Sequence, residues 1–164
     1  MKKSHRKMHI FLTCLMFALY NVILFAILFR ASRPSRELNL VPFHTIGNFL
    51  FTGRMKHIFA ISNVFGNIIL FIPMAIYFSL FNKGKRSVFL IFLISVLVEI
   101  VQYTFKLGTG DIDDVILNAF GGWIGVSFYK ALRSKLKDEN KVKQISEWIG
   151  AGMTFLILFL YLCI

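Results

Sequence analysis

The chain has 164 residues, of which 57% are hydrophobic and 16% are charged, and its formal net charge is +11. Because a soluble domain usually has about a quarter of its residues charged, this composition indicates an integral membrane protein with one domain over residues 1–164. We expect no nucleic-acid partner, because the basic residues fall in short clusters between apolar runs, as they do in membrane proteins.

Five apolar runs are long enough, or nearly so, to cross a hydrocarbon core of about 30 Å, which needs about 20 helical residues. They lie at residues 8–29, 60–81, 87–107, 112–132 and 148–164. The first run follows a basic N-terminus, as in a signal peptide, but it exceeds the roughly 7–15 apolar residues of a signal sequence. The sequence therefore predicts an all-α, polytopic membrane helix bundle with about five transmembrane helices.

The distribution of lysine and arginine predicts the orientation of these spans. The N-terminus and the links after the second and fourth spans contain 13 of the basic residues, whereas the two other links contain 6. Cytoplasmic segments are the ones enriched in Lys and Arg. We therefore expect a multi-pass protein of the cell membrane with a cytoplasmic N-terminus and an external C-terminus, so that the turn at residues 108–111 faces outward.

Each of the middle three predicted spans carries polar residues three, four or seven positions apart, which places them on one helical face. They are Asn63 and Asn67 in the second span, Glu99 and Gln102 in the third, and Asp111, Asp114 and Asn118 in the fourth. All lie toward the predicted outer side, and a charged side chain at mid-membrane costs at least about 2.5 kcal/mol. Three such stripes at matching depth predict one polar pocket that opens outward.

The same residues also allow a purely structural interpretation. Asp111 and Asp114 have the spacing of a helix N-cap and its N3 partner. Glu99 and Gln102 are able to form a structural pair that hydrogen-bonds to the asparagines. The asparagines themselves suit hydrogen bonds between helices. Asp113 lies off the shared face, so we expect it in solvent.

Two further features concern helix packing. Gly121 and Gly125 form a G-x-x-x-G pattern, which predicts a close helix contact either within the chain or between chains of a homo-oligomer. Pro73 interrupts the second span and removes the amide that would bond to the Ile69 carbonyl, so we expect a kink there. A water or a neighbouring polar side chain would satisfy that carbonyl.

Four motifs, in this order, resemble those of the VanZ-like family. They are Asn39-Leu-Val-Pro42-Phe43 (N-L-x-P-F), Asn67 with Phe71 and Pro73 (N-x-x-x-F-x-P), Glu99 with Gln102 (E-x-x-Q), and Asp111 to Gly122 (D-x-x-D-x-x-x-N-x-x-G-G). Together they span about residues 38–130. The chain departs from the family pattern at Ala75, where glycine is frequent, and at Thr109 and Gly110, where an arginine often precedes the aspartates.

The resemblance implies a small membrane protein of the Gram-positive cell envelope, in a family whose founding members lower sensitivity to teicoplanin-type antibiotics. We expect the pocket to bind or alter a membrane lipid or a lipid-linked cell-wall component. Its binding residues would be the seven stripe residues together with Asn39, Pro42 and Phe43 of the first motif.

Two other functions remain as alternatives. The first is an intramembrane enzyme that acts on an envelope lipid or cell-wall precursor, with Glu99, Asp111 and Asp114 as general acid and base, or with the two aspartates holding Mg²⁺ through a substrate phosphate. The second is an ion-coupled transporter, which is disfavoured because the polar residues occupy only one leaflet. The sequence leaves open whether a reaction is catalysed, and we expect no cofactor and no resident metal.

Overall fold

The computed structural model describes residues 2–30, 38–51, 57–82, 84 and 86–163. Over these residues the chain is all-α apart from two short strands. The helices are α1 (Lys2–Arg30), α2 (His44–Phe51), α3 (His57–Asn82), α4 (Ser87–Phe105), α5 (Ile112–Leu136) and α6 (Glu139–Cys163), and the strands are β1 (Leu38–Asn39) and β2 (Gly110–Asp111). The predicted all-α class is confirmed.

Each of the five predicted apolar runs lies largely within one long helix, and several of these helices extend beyond their runs. Helix α6 begins at Glu139, nine residues before the predicted start of the fifth span, because its polar first turns continue directly into the apolar part. Within the described residues, three segments are long and apolar enough to cross a membrane, namely Asn63–Asn82, Ser87–Phe105 and Ile112–Leu136, and Thr13–Leu28 is a shorter apolar stretch. The count of five spans and their orientation stay predictions.

Helix α3 is the central helix and packs most extensively against α5. The contact is close because α5 presents glycines to it. A methyl group added at Gly121 would lie 2.2 Å from the Ile68 carbonyl oxygen, and one at Gly125 would lie 2.5 Å from that of Ile72. The G-x-x-x-G face therefore serves a contact within the chain, which is the first of the two predicted alternatives, and a homo-oligomer through Gly121 and Gly125 stays a prediction.

The buried apolar core lies beside this contact and joins α1 to α3 and α5. Its largest members include Tyr20 and Leu24 of α1 and Phe71, Met74 and Tyr77 of α3. Burial of such side chains contributes roughly 1.5–3 kcal/mol each if the exposed state is aqueous. In a bilayer the gain comes mainly from close packing, because lipid tails are also apolar.

Helix α3 continues through Pro73, and a tyrosine of α1 lies at the interruption. The Tyr20 hydroxyl donates a hydrogen bond to the carbonyl of Leu70, one residue after the Ile69 carbonyl that the proline leaves without its amide. Tyr20 is fully buried, so this bond satisfies its hydroxyl and connects α1 to α3. The bond lies one residue from the carbonyl that was expected to gain a polar partner, and both that partner and the kink at Pro73 stay predictions.

The connection from α4 to α5 brings the start of α5 back over the end of α4. Helix α4 ends at Phe105. The next residue, Lys106, adopts a left-handed conformation (φ 56°), and the Leu107 amide donates a 2.8 Å hydrogen bond to the Gln102 carbonyl. This is the pattern of a Schellman-type helix end. The chain then forms β2 and enters α5 at once, so the polar residues at the end of α4 and the start of α5 become neighbours.

Candidate binding site

A cavity of about 550 Å³ lies at the end of the bundle where α4 ends and α5 begins. Eleven of its lining residues have side chains that carry oxygen or nitrogen. They are Asn39, His44, Thr45, Asn63, Asn67, Glu99, Gln102, Thr109, Asp111, Asp114 and Asn118. The structure thus brings the three predicted polar stripes together around one space, and adds residues from β1 and α2.

Two of the predicted binding residues do not line this cavity. Pro42 and Phe43 lie in the turn before α2 and are exposed. Phe43 has a positive φ of 63°, which is uncommon for a residue with a side chain. The turn instead takes part through its backbone amides, which face α5.

Asp111 caps α5 and connects three segments of the chain. Its Oδ1 accepts hydrogen bonds from the Asp113 amide at 2.9 Å and from Asn39 Nδ2 at 2.9 Å, and its Oδ2 accepts one from Thr45 Oγ1 at 2.6 Å. The predicted N-cap is therefore present. The reciprocal capping box is absent among the described contacts, because the Asp114 carboxyl group bonds to α3 instead.

A parallel pairing of β1 with β2 positions Asn39 beside Asp111. Leu38 is paired with Gly110 and Asn39 with Asp111. Gly110 suits this close approach, because a methyl group there would lie 3.0 Å from the Leu38 side chain and 3.4 Å from that of Tyr103. This short ladder is what joins the N-L-x-P-F motif to the aspartate motif in space.

The prediction that Asp113 lies in solvent is wrong. Its side chain is 0% exposed, and it accepts hydrogen bonds from three backbone amides: Phe43 at 2.5 Å, Thr45 at 2.8 Å and Ile46 at 3.2 Å. As predicted from helical phase, Asp113 lies on a different face of α5 from Asp111 and Asp114. That face is covered by residues 43–46, so Asp113 is buried. Asp113 therefore holds the turn and the first residues of α2 against the start of α5.

Glu99 and Gln102 of α4 bond to other parts of the chain. Glu99 Oε2 accepts a 2.8 Å hydrogen bond from the Asp111 amide, and Gln102 Nε2 donates a 3.0 Å bond to the Leu28 carbonyl of α1. Neither of these bonds involves an asparagine, contrary to the predicted structural pair. Glu99 thus fixes the start of α5, and Gln102 fixes the end of α1 at the rim of the cavity.

Asparagine side chains of α3 and α5 form the inner part of the cavity wall. Asn67 Nδ2 donates a 2.6 Å hydrogen bond to Asp114 Oδ1, and Asn63 also hydrogen-bonds to this carboxyl group. Asn118 is 1% exposed and donates from Nδ2 to Ser95 Oγ at 2.7 Å. Its Oδ1 has no hydrogen-bond partner among the described residues. A buried acceptor without a partner costs about 1–3 kcal/mol, so Asn118 offers an unfilled acceptor at the wall of the cavity.

Sequence reasoning missed Thr45 and Ser95. Ser95 lies four residues before Glu99 and seven before Gln102. The helical spacing that placed the other polar residues on one face therefore also predicts Ser95 on that face. Thr45 gave no such signal, because it reaches the site only through the β1–β2 pairing. Among the described residues, no group of three or more His, Cys, Asp or Glu side chains is arranged to hold a metal ion.

Comparison with known proteins gives two matches. A family model described as VanZ/LLP1 matches residues 10–133. The chain is 31% identical over 129 residues to Protein VanZ of Enterococcus faecium, and the aligned part covers 75% of this chain and 70% of that protein. No solved structure matches the chain.

Proposed function

Because the chain belongs to the VanZ/LLP1 family, we propose that it is a multi-pass protein of the Gram-positive cell membrane that lowers sensitivity to teicoplanin-type antibiotics. In this proposal its polar cavity binds a membrane lipid or a lipid-linked component of the cell envelope. The observation that carries the proposal is the gathering of polar side chains from α3, α4 and α5 around one cavity within apolar helices.

The size and lining of the cavity suit a ligand headgroup. Pockets for small ligands usually measure about 300–1,000 Å³ and hold a few placed polar groups among apolar walls. The cavity falls in this range, and Leu28 and Leu70 contribute apolar surface beside the acids and amides. Polar and acidic residues inside a membrane span are expensive and are by default candidates for function.

Charge distribution supports an outward-facing cavity. The opposite end of the bundle, where α5 meets α6, carries Arg133, Lys135, Lys137, Lys141 and Lys143. Such a basic cluster belongs on the cytoplasmic side under the positive-inside rule. The cavity then opens at the outer leaflet, where glycopeptides meet the cell.

The hydrogen bonds of Asp111 favour binding over catalysis. Both oxygens of its carboxyl group already accept hydrogen bonds from the chain itself, and its amide is held by Glu99. A general acid or base must exchange a proton with a substrate. A carboxyl group whose two oxygens already accept hydrogen bonds from the chain is poorly placed to do so. Asp111 therefore acts in this proposal as the organiser of the site.

The test compares a strain with the gene deleted, a strain with the wild-type protein, and strains with Glu99→Gln or Asp114→Asn at equal expression. The readout is the amount of fluorescently labelled teicoplanin bound to the cell surface. We expect the wild-type protein to lower binding relative to the deletion, and each variant to lose at least half of that difference.

Glu139→Gln is the matched control, because Glu139 lies at the opposite end of the bundle in an exposed ion pair with Arg133. It should behave as the wild type. Wild-type behaviour of both cavity variants, against a clear effect of the deletion, would contradict the proposal. A change in membrane lipid composition between deletion and wild type would instead favour the enzyme.

A further inference from the structure

A second, apolar groove of about 200 Å³ adjoins the polar cavity. Its apolar walls come from residues 38–40, α4 and the first turn of α5, and are formed by Leu38, Leu40, Val96, Ile100, Tyr103 and Val115. Leu40 is 65% exposed and Ile100 is 53% exposed, so the rim of the groove is open at the surface of the bundle. In a bilayer that surface faces lipid tails.

The groove and the cavity meet at two residues of the chain. Glu99 and Asp111 line both spaces, and the 2.8 Å hydrogen bond between them lies at the boundary. A ligand that filled both spaces would therefore place a polar group against the acids and an apolar group along α4. The adjacency of a polar and an apolar space points to an amphiphile as the occupant.

The chemistry of the cavity indicates the type of headgroup. Its wall carries three carboxyl groups, those of Glu99, Asp111 and Asp114, and no lysine or arginine is among the described residues that line it. Carboxylates disfavour a phosphate group nearby and favour a cation. Asn118 Oδ1, buried and without a partner in the described part of the chain, also requires a hydrogen-bond donor.

We infer that the site holds a lipid whose headgroup carries a primary ammonium group, with the ammonium in the polar cavity and a hydrocarbon chain in the apolar groove. An ammonium supplies three hydrogen-bond donors and a positive charge, which match the acceptors of Glu99, Asp114 and Asn118. The inference rests on the proposed binding function and names the class of its ligand.

The experiment uses the purified full-length protein in detergent with three probes. They are dodecylamine, dodecyl phosphate with the same chain, and ethanolamine as a head without a chain. Dissociation constants are measured by native mass spectrometry. We expect dodecylamine to bind at least tenfold more tightly than either of the other two, and Asp114→Asn to weaken dodecylamine binding at least fivefold.

Two variants of α4 test the groove without disturbing the core. Ile100→Trp narrows the groove, whereas Leu97→Trp places the same side chain at a position that is 59% exposed and lies outside the groove. Ile100→Trp should weaken dodecylamine binding at least tenfold, and Leu97→Trp should leave it unchanged. Equal effects of the two substitutions, or equal binding of the amine and the phosphate, would overturn the inference.

These results are separable from the test of the proposed function. If the cavity variants restore teicoplanin binding to cells but the purified protein shows no preference for the amine, the ligand class is wrong and the binding function stands. If the amine is preferred but the cavity variants leave teicoplanin binding at the wild-type level, the ligand class stands and the proposed role in antibiotic sensitivity fails.

Discussion

Asp113 shows how much of the site depends on one buried carboxyl group. Three backbone amides of residues 43–46 point at it, and none of its surface is exposed. Hydrogen bonds to a charged group contribute roughly 1.5–3 kcal/mol each. These bonds also help to hold Phe43 in its left-handed conformation, which costs roughly 1–2 kcal/mol for a residue with a side chain. Asp113 thus positions Thr45 for its bond to Asp111.

Asp113→Asn should destabilise the protein by about 2 kcal/mol or more, because the amide NH₂ group of asparagine cannot accept the bonds made by the oxygen it replaces. The measurement is the thermal unfolding midpoint in detergent. Glu139→Gln is the control, since an exposed ion pair contributes at most about 1 kcal/mol. An unchanged midpoint for Asp113→Asn would show that these amides are satisfied in another way.

At the scale of elements, the contact between α3 and α5 sets the width of the cavity. Asn67 on α3 and Asp114 on α5 are in contact across it. The glycines about two and three turns further along α5 allow the two backbones to approach. Small residues at such interfaces are typical of membrane helices, where association depends on close packing. The packing of two helices therefore controls the geometry of the acids.

Gly121→Ala should separate α3 from α5 and lower the thermal unfolding midpoint by several degrees, because its methyl group would meet a backbone oxygen at 2.2 Å that cannot rotate away. Gly152→Ala in α6 is the matched control. Nothing lies within 4 Å of a methyl group there, so alanine should be neutral or stabilise the helix by up to about 1 kcal/mol. Equal midpoints for the two variants would mean that α3 is free to shift.

At the scale of the whole molecule, function depends on which face of the membrane the cavity opens to. The acids and amides lie at one end of the bundle and the basic α5–α6 junction at the other. The described helices supply three segments suited to span the bilayer, and the distribution of Lys and Arg predicts their orientation. The proposed function requires the cavity end to be external, because the envelope component that it binds would then lie in the outer leaflet, where a glycopeptide meets the cell.

Single cysteines test the orientation in intact cells, in a background with Cys14→Ser and Cys163→Ser. Thr109→Cys, beside the cavity, should react with a membrane-impermeant maleimide added outside. Asn140→Cys, at the α5–α6 junction, should react only after the membrane is made permeable. The reverse labelling pattern would place the cavity in the cytoplasm and contradict the proposed function.

The helices and the polar stripes were predictable because both depend on local spacing. Apolar runs located the five long helices, and helical phase aligned Asp111, Asp114 and Asn118 on one face. Helix α2, the β1–β2 pairing and the burial of Asp113 were not predicted. Each depends on residues 38–46 meeting residues 110–113, and no local pattern of two-residue strands or of an eight-residue helix signals such a contact.

The pairing of β1 with β2 has a consequence for the order in which the protein is made. Asn39 leaves the ribosome 72 residues before Asp111, its hydrogen-bond partner, and Thr45 leaves it 66 residues before the same aspartate. During synthesis Asn39 and Thr45 therefore have no Asp111 to bond to until α3 and α4 have emerged and inserted. Contacts between residues distant in sequence form late. A nascent chain that stops short of α5 would have α1, α3 and α4 but would lack the side chains of α5 that complete the candidate site.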